Sequence, residues 1–217
     1  MSISGIPQHS DNSSFYRLIY SISKEKVINN IVDIGSHSGL GSTRMAIDGL
    51  NSAGKNEVDV YGIELNYELY SMSLNNLFNK YNSDHLHMLN GSIVTYTEME
   101  PYVNNFEWDN NCNIDNTNTA LQWLKRDIEL IKNGKNILND IPLKIDLLII
   151  DGGEFCGFIE FQKLYKRSKY IILDDINSFK NKKSREYVLN NTEEFKIIMD
   201  LPEENCFGCK NLNFDNK

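Results

Sequence analysis

The stretch Ile31-Val-Asp-Ile-Gly-Ser-His-Ser-Gly-Leu-Gly-Ser-Thr43 decides the fold. The apolar residues around Asp33 predict a buried parallel strand, and the glycines that follow predict a tight turn before a helix. Glycine adopts positive φ angles freely and lets a ligand approach the backbone closely. A helix start also presents unpaired N–H groups and the positive end of the helix dipole to an anionic group. The stretch therefore predicts a ligand-binding loop between a strand and a helix.

A second apolar segment, residues 58–63, predicts the next strand and ends at Glu64. In nucleotide-binding α/β folds, an acidic residue at the end of the second strand holds the ribose diol. The glycine order Gly35-x-x-x-Gly39-x-Gly41 differs from the dinucleotide fingerprint, and Gly41 is not followed by the lysine of a P-loop. The loop and Glu64 together indicate a ligand that contains adenosine. The alternative is a strand–helix turn that binds no ligand.

The pattern Asp33-x-Gly35-x-x-x-Gly39-x-Gly41 resembles motif I of the class I S-adenosylmethionine-dependent methyltransferases. In that family the loop wraps the methionine and ribose parts of the cofactor, and the acid after the second strand binds the ribose hydroxyls. Glu64 matches that acid. The resemblance implies that S-adenosylmethionine is contacted by Asp33, Gly35, Ser36, His37, Gly39, Gly41, Glu64, Leu65, Ser92 and Asp151.

Apolar periodicity alternates between strands and helices along the chain, which predicts an α/β fold with a doubly wound, mostly parallel sheet. The predicted strands are residues 27–34, 58–63, 85–89, 145–150, 170–173 and 195–199, with 206–212 as a hairpin partner. The predicted helices are residues 13–24, 42–52, 67–81, 120–132, 156–166 and 184–190. Residues 101–118, which are polar and rich in asparagine, are predicted to form a loop, and its Tyr102 and Trp108 are candidates for an aromatic lid or for plain packing.

The whole chain of 217 residues is predicted to be one domain, in which residues 1–26 form a helical segment packed on the cofactor-binding domain of residues 27–217. The net charge of −8 and the lack of a basic tract argue against a nucleic-acid partner. No apolar run is long enough to span a membrane, and the first ten residues do not resemble a secretory signal. We therefore expect a cytoplasmic protein that acts on a small-molecule acceptor. A homodimer is left open.

Acidic residues follow two of the predicted strands. Residues 145–150 are followed by Asp151-Gly-Gly-Glu154, and the next strand is followed by Asp174 and Asp175. The carboxyl ends of parallel strands meet at one edge of the sheet, so these acids are expected to converge. Their mutual repulsion needs a divalent cation that shares the oxygens, or a proton that one carboxylate keeps for acid–base work. The alternative is that Asp174 and Asp175 only cap the next segment.

The segment Ile149-Ile-Asp-Gly-Gly-Glu-Phe155 resembles the I-D-G-x-H motif of small-molecule and sugar O-methyltransferases of class I. That resemblance implies that Asp151, Asp174 and Asp175 hold a Mg²⁺ ion, which in turn holds the hydroxyl of the acceptor. It also implies catalytic roles for Asp151 and Glu154. Glu154 stands where related enzymes have histidine, so it is predicted to be the base or a further ligand, unless the chemistry differs.

These patterns predict a methyltransferase that uses S-adenosylmethionine to methylate a hydroxyl of a small, saccharide-like acceptor, as in surface-polysaccharide or natural-product biosynthesis. The alternatives are an N-methyltransferase and a non-enzymatic scaffold that binds the cofactor. The basic residues 180–185 are interpreted as a solvated helix start rather than a phosphate-binding patch. The lone pair Cys206 and Cys209 is interpreted as two reduced thiols in a terminal strand or turn, since a zinc site needs further ligands.

Overall fold

The computed structural model describes residues 13–81, 84–104 and 117–216. Its strands are β1 (Asn30–Ile34), β2 (Asp59–Glu64), β3 (Leu86–Asn90), β4 (Ile145–Ile150), β5 (Ser168–Asp174), β6 (Phe195–Leu201) and β7 (Cys206–Asn211). Its α-helices are α1 (Ser14–Ser23), α2 (Ser42–Ser52), α3 (Tyr67–Phe78), α4 (Tyr96–Asn104), α5 (Thr117–Asn133), α6 (Gly157–Leu164) and α7 (Lys182–Leu189). None of these helices is long and apolar enough to cross a membrane.

The strands form one sheet in the order β3-β2-β1-β4-β5-β7-β6. Neighbouring strands from β3 to β5 are parallel, and β7 pairs antiparallel with both β5 and β6. The chain reverses the direction of strand order between β1 and β4, and such a switch point opens a crevice at the carboxyl ends of the strands. Ile34 pairs with Ile150, so the glycine loop and Asp151 leave the sheet side by side. The predicted doubly wound, mostly parallel sheet is confirmed.

Two apolar layers cover the two faces of the sheet. In strand β4 the four residues 147–150 are all apolar: Leu147 and Ile149 pack with one layer, whereas Leu148 and Ile150 pack with the other. A strand alternates its side chains between faces, so the part of a central parallel strand that is covered on both faces is apolar, and the charged Asp146 lies near the start of β4, where it is only partly buried. Helices α1, α2 and α3 contribute to the first layer through Phe15, Ile19, Leu50 and Leu77. Helices α5, α6 and α7 contribute to the second layer through Leu124, Ile128, Phe161 and Val188.

The predicted bounds of helix α2 and strand β4 are confirmed, and the other predicted elements differ from the observed ones by a few residues at their ends. The predicted loop over residues 101–118 is wrong at both ends, because α4 runs to Asn104 and α5 begins at Thr117. Thr95 donates to Glu98 Oε2 from its backbone N and from its hydroxyl, each at 2.8 Å, and this capping contact starts α4 although Pro101 lies inside the helix. Trp108 and Cys112 lie outside the described residues, as does the Tyr102 side chain.

Cys206 and Cys209 lie in β7 and face opposite sides of the sheet. Cys206 packs with the layer of α1, and Cys209 packs with the layer of α6. Both thiols are buried and unpaired, and burial raises the pKa of Cys206 to about 12. The predicted position of the pair in a terminal strand is confirmed. The sheet itself separates the two sulfur atoms, so they do not form a dithiol site.

Candidate active site

A cavity of about 560 Å³ opens beside the loop that follows β1. It brings together most of the residues predicted to contact the cofactor. The predicted residues that line it are Gly35, Ser36, His37, Gly41, Glu64, Leu65, Ser92 and Asp151. Asp33 and Gly39 do not line the cavity. They support the loop from behind, as their contacts show.

Gly35 brings the glycine loop against the end of β4. Its φ angle is +88°, and a Cβ atom at this position would lie 2.1 Å from the carbonyl oxygen of Asp151. The backbone N–H groups of Gly35 and Ser36 donate to the carbonyl of Ile63, at 2.9 and 3.0 Å. Gly39 has a φ of +77° and lies against Leu77 of α3. The loop therefore touches the ends of both neighbouring strands, and no side chain fits at Gly35.

Asp33 fixes the start of α2 on β1 from beneath the loop. Its Oδ2 accepts hydrogen bonds from the hydroxyls of Ser42 and Thr43. Burial raises the pKa of Asp33 to about 6, and the two hydroxyls oppose this effect. Within the described part of the chain its Oδ1 has no hydrogen-bond partner. A buried acceptor of this kind calls for a ligand or a water molecule.

Glu64 closes the loop from the side of β2. Its Oε2 accepts from the backbone N–H of His37 at 2.9 Å, and its Oε1 accepts from the N–H of Asn66 at 2.8 Å. Burial raises the pKa of Glu64, while these backbone donors lower it. His37 adopts a φ of +51°, which turns its N–H toward the carboxylate. Each carboxylate oxygen has a second lone pair, so Glu64 can still accept bonds from a ligand in the cavity.

Part of the lining of the cavity is apolar. Leu65 and Leu69 line it from the end of β2 and the start of α3, Ile93 lines it from the segment after β3, and Leu130 lines it from α5. The segment after β3 is anchored to the segment after α5, because the backbone N–H of Ser92 donates to the carbonyl of Lys135 at 3.0 Å. The cavity thus offers an apolar slot next to a carboxylate, which suits a flat aromatic ring attached to a sugar.

The predicted acidic cluster is present at the ends of β4 and β5. One carboxylate oxygen from each of Asp151, Asp174 and Asp175 lies within 4.8 Å of the others. The ammonium of Lys180 compensates their negative charge, because its Nζ lies 2.8 Å from Asp151 Oδ1 and 2.8 Å from Asp175 Oδ2. Burial alone would lower the pKa of Lys180, but the surrounding aspartates outweigh it and raise the pKa well above its ordinary value. Lys180 therefore stays charged.

The interpretation of residues 180–185 as a solvated helix start is wrong for Lys180, whose side chain is only 7% exposed. The backbone of the segment is anchored from both strands. Asn181 Nδ2 donates to the carbonyl of Ile150 at 3.0 Å and to that of Asp174 at 2.7 Å. Lys180 lies directly before Asn181 and outside the helix that begins at Lys182. The two hydrogen bonds of Asn181 therefore hold the Lys180 backbone close to the ends of β4 and β5, and its side chain points inward.

Glu154, the predicted base, is buried next to the cluster but does not line the cavity. Its Oε1 accepts from the backbone N–H of Lys180 at 3.3 Å, and its carboxylate also interacts with Ser178. Burial raises the pKa of Glu154, which these contacts partly offset. These contacts hold the turn that carries Lys180. The role of Glu154 as a base stays a prediction.

Sequence reasoning missed several residues that line the cavity. Tyr16 of α1 reaches over the glycine loop, since a Cβ on Gly41 would lie 2.8 Å from its hydroxyl oxygen. Asp127 of α5 and Glu160 of α6 are each only 3% exposed. Asp127 Oδ2 and Glu160 Oε2 have no hydrogen-bond partner among the described residues. The sequence signal that could have found Asp127 and Glu160 is that each is an acid among the apolar residues of a predicted helix.

The buried Glu160 makes a pH dependence measurable. Burial raises the pKa of Glu160 from 4.5 to about 8, so the folded protein keeps a proton that the unfolded chain loses. This contribution to stability is fully present below pH 4.5 and is lost as the pH rises toward 8. We expect Glu160→Gln to flatten the fall in unfolding free energy over this window, measured by urea unfolding. The exposed Glu193→Gln should keep the wild-type slope, and an unchanged slope in Glu160→Gln would contradict the prediction.

A smaller cavity of about 310 Å³ lies away from the glycine loop, where Tyr81 and His85 contribute to its lining. It contains none of the predicted site residues. Next to it, His85 Nδ1 and His87 Nε2 each lie 3.0 Å from Asp59 Oδ1. Both histidines thus join the start of β3 to β2.

No family model matches the sequence, and no curated protein matches it. Solved structures match the fold at low sequence identity. The O-methyltransferase from Bacillus cereus in complex with SAH (S-adenosylhomocysteine) has a TM-score of 0.50 at 16% identity, over 90% of this chain and 76% of that one. An SAH-bound methyltransferase from Podospora anserina has a TM-score of 0.54 at 10% identity, over 90% and 77%. A methyltransferase from Geobacter sulfurreducens has a TM-score of 0.53 at 13% identity, over 91% and 78%.

The chain has the Rossmann-like fold of the class I methyltransferases. At these low identities the structural likeness shows the fold alone and does not show the activity. The strand order, the glycine loop after β1 and the acid after β2 are the features from which the site is built.

Proposed function

We propose that this protein binds S-adenosylmethionine and transfers its methyl group to a hydroxyl of a small, saccharide-like acceptor. One observation carries the proposal: a single cavity at the switch point joins the glycine loop, the Glu64 carboxylate and Asp151. In open α/β sheets this crevice is where adenosine-containing ligands bind. The methyltransferase fold of the chain and the O-methyltransferase among its structural neighbours support the choice of reaction.

The residues present fit the cofactor. Gly35 and Gly41 line the cavity without a side chain, and Ser36, which also lines it, has a buried hydroxyl oxygen without a partner in the described chain. Glu64 would hold the ribose hydroxyls, and Leu65 and Leu130 would flank the adenine. When bound, the cofactor supplies a methyl group already activated by its sulfonium. The protein then has to bind the acceptor, orient its hydroxyl and take up its proton.

We infer that Asp151 orients the acceptor hydroxyl. It lines the cavity at the end of β4, and its Oδ1 accepts from Lys180. Burial raises the pKa of Asp151, Lys180 opposes this effect, and Asp174 adds to it. A carboxylate whose pKa lies above its ordinary value accepts a proton more readily near neutral pH. We propose that the acidic cluster shares the released proton, with Glu154 as a further member through its contact with the Lys180 backbone.

The predicted Mg²⁺ ion does not fit the donor set as it stands. A divalent ion needs several oxygen ligands at short distances. Here two of the three carboxylates of the cluster are in contact with a buried ammonium. We therefore derive no step of the reaction through a metal ion.

One observation favours methylation of an amine as the second candidate. The cavity is lined by the acids Glu64, Asp127, Asp151 and Glu160, of which Glu160 keeps its proton at neutral pH, and by the cations Arg126 and Lys180. The unpartnered Oδ2 of Asp127 would accept a hydrogen bond from a protonated amine. An amine acceptor would have to lose its proton before methyl transfer, which the same carboxylates could take up.

Binding of the cofactor product tests the proposal. We expect SAH to bind the wild-type protein in calorimetry and Glu64→Ala to weaken binding by roughly 1.5–3 kcal/mol, because the variant loses hydrogen bonds to a charged group. Exposed Glu57→Ala is the matched control and should bind SAH normally. Equal affinity in both variants, or tight binding of NAD instead of SAH, would refute the assignment of the cavity.

Transfer of a labelled methyl group separates an enzyme from a scaffold. We expect incorporation into saccharides from a mixed pool of nucleotide sugars and oligosaccharides. Incorporation only into amines would favour the second candidate. Cofactor binding without transfer to either pool would leave the scaffold as the better account.

A further inference from the structure

We propose that Lys180 is the resident cation of the acidic cluster formed by Asp151, Asp174 and Asp175, and that it replaces a divalent metal ion. The part of this inference that concerns the acceptor rests on the proposed function. The part that concerns the cation does not, because it can be measured without cofactor or acceptor.

The contacts of Lys180 give it the position that a metal ion would need. Its Nζ is 2.8 Å from one oxygen of Asp151 and 2.8 Å from one oxygen of Asp175. Asp174 is fully buried and adds its negative charge to the same group. A buried charge is tolerated only when it is paired and hydrogen-bonded, and the cluster provides this for the ammonium.

The backbone around Lys180 is locked, so the ammonium cannot easily leave the cluster. The backbone N–H of Lys180 donates to Glu154 Oε1 at 3.3 Å and to Ser178 Oγ at 3.2 Å. A Cβ on Gly157 would lie 2.2 Å from the carbonyl oxygen of Lys180, so this carbonyl packs directly on the start of α6. The side chain of Asn181 then ties the segment to β4 and β5.

A divalent ion would have to displace this ammonium. The oxygens that would ligate it are already charge-compensated, and two cations a few ångströms apart repel each other strongly in a partly buried site. The hydrogen bonds of the Lys180 backbone would also keep the residue beside the cluster, so the displaced side chain would have to adopt another conformation nearby. The cluster is therefore closed to Mg²⁺ in the wild-type protein.

The position of Lys180 also gives it a task in the proposed reaction. An ammonium has three N–H donors, and Asp151 and Asp175 account for two of them among the described residues. Lys180 lines the same cavity as the glycine loop. Its remaining donor can hold the acceptor oxygen and stabilise the negative charge that develops there as the proton leaves, which is the work of a metal ion in a metal-dependent enzyme.

Binding of Mn²⁺, followed by electron paramagnetic resonance on the full chain without cofactor, tests the cation assignment. We expect the wild-type cluster not to take up the ion, and Lys180→Ala to bind Mn²⁺ at least about tenfold more tightly, because three carboxylates then lack a cation. Lys180→Gln removes the charge but keeps most of the side chain, and it should show the same gain if the alanine variant does not fold. Exposed Lys135→Ala is the matched control and should behave as wild type.

Two results would overturn the assignment. One is stoichiometric Mn²⁺ binding by the wild-type protein that is lost in Asp174→Asn. The other is folded Lys180→Ala and Lys180→Gln proteins that bind Mn²⁺ no better than wild type. In the presence of acceptor, chelation should leave wild-type turnover unchanged and Lys180→Gln should lose turnover while still binding SAH. Loss of turnover on chelation would contradict the role of Lys180, whereas a protein that fails to bind SAH at all would refute the proposed function and leave the Mn²⁺ result intact.

Discussion

Gly35→Ala should lower the free energy of unfolding by roughly 3–5 kcal/mol, as measured by urea unfolding. Two effects add at this position. Alanine is strained at a φ of +88°, and its Cβ would lie 2.1 Å from the carbonyl oxygen of Asp151. Because that oxygen belongs to the backbone at the end of the central strand β4, neither partner can move without separating β1 from β4.

Gly54→Ala is the matched control for this prediction. Gly54 also has a positive φ, +69°, but no atom lies within 4 Å of the Cβ that alanine would add. It should therefore cost only the backbone strain, about 1–2 kcal/mol. Equal losses of unfolding free energy in the two variants would show that the contact with Asp151 contributes nothing. They would contradict the close approach of the glycine loop to the end of β4.

Lys180→Met should cost roughly 3–5 kcal/mol of unfolding free energy, because it leaves buried carboxylates without their counter-charge. The Lys180 side chain is 7% exposed and Asp175 is 30% exposed, so solvent screens the cluster poorly. Methionine keeps the volume of the side chain, so the loss reports on charge rather than on a cavity. Addition of Asp175→Asn to Lys180→Met should restore part of the stability, since it removes one of the unpaired charges.

Lys135→Met provides the comparison. Lys135 and Asp140 form an ion pair at 2.6 Å, but their side chains are 69% and 39% exposed. An exposed pair contributes at most about 1 kcal/mol. A similar small loss in Lys180→Met would mean that water reaches the cluster and that Lys180 is not essential to it.

The fold could be predicted from local features of the sequence. The apolar residues 147–150 of β4 and the glycine loop after β1 are each recognisable from neighbours in the chain, and parallel pairing of such strands follows from the helices between them. Helix α4 was not predicted, because residues 101–118 were interpreted as a polar, asparagine-rich loop and the capping contact between Thr95 and Glu98 was not considered. A favourable helix start outweighed a residue that disfavours the helix interior.

The site was predictable where it lies at the ends of strands and in the loops that follow them. Glu64 and Asp151 end strands of the sheet, so their convergence follows from topology. Lys180 could not be placed in this way, because its inward direction depends on hydrogen bonds from Asn181 to two distant carbonyls. Asp127 and Glu160 have the same difficulty, since an acid on a helix points to solvent unless packing of the whole domain turns it inward. Lys180, Asp127 and Glu160 are thus placed by tertiary contacts that the order of strands does not reveal.

The two thiols of β7 allow the local opening of each face of the sheet to be measured separately. A thiol-reactive dye can modify Cys206 only when the layer of α1 lifts away, and Cys209 only when the layer of α6 does. Single-cysteine proteins, with the remaining cysteines changed to serine, would give a separate labelling rate for each face. The ratio of the two rates would reveal which half of the molecule opens first under native conditions. A ligand held at the glycine loop would slow both rates if it clamps the sheet as a whole, and only one if the two layers breathe independently.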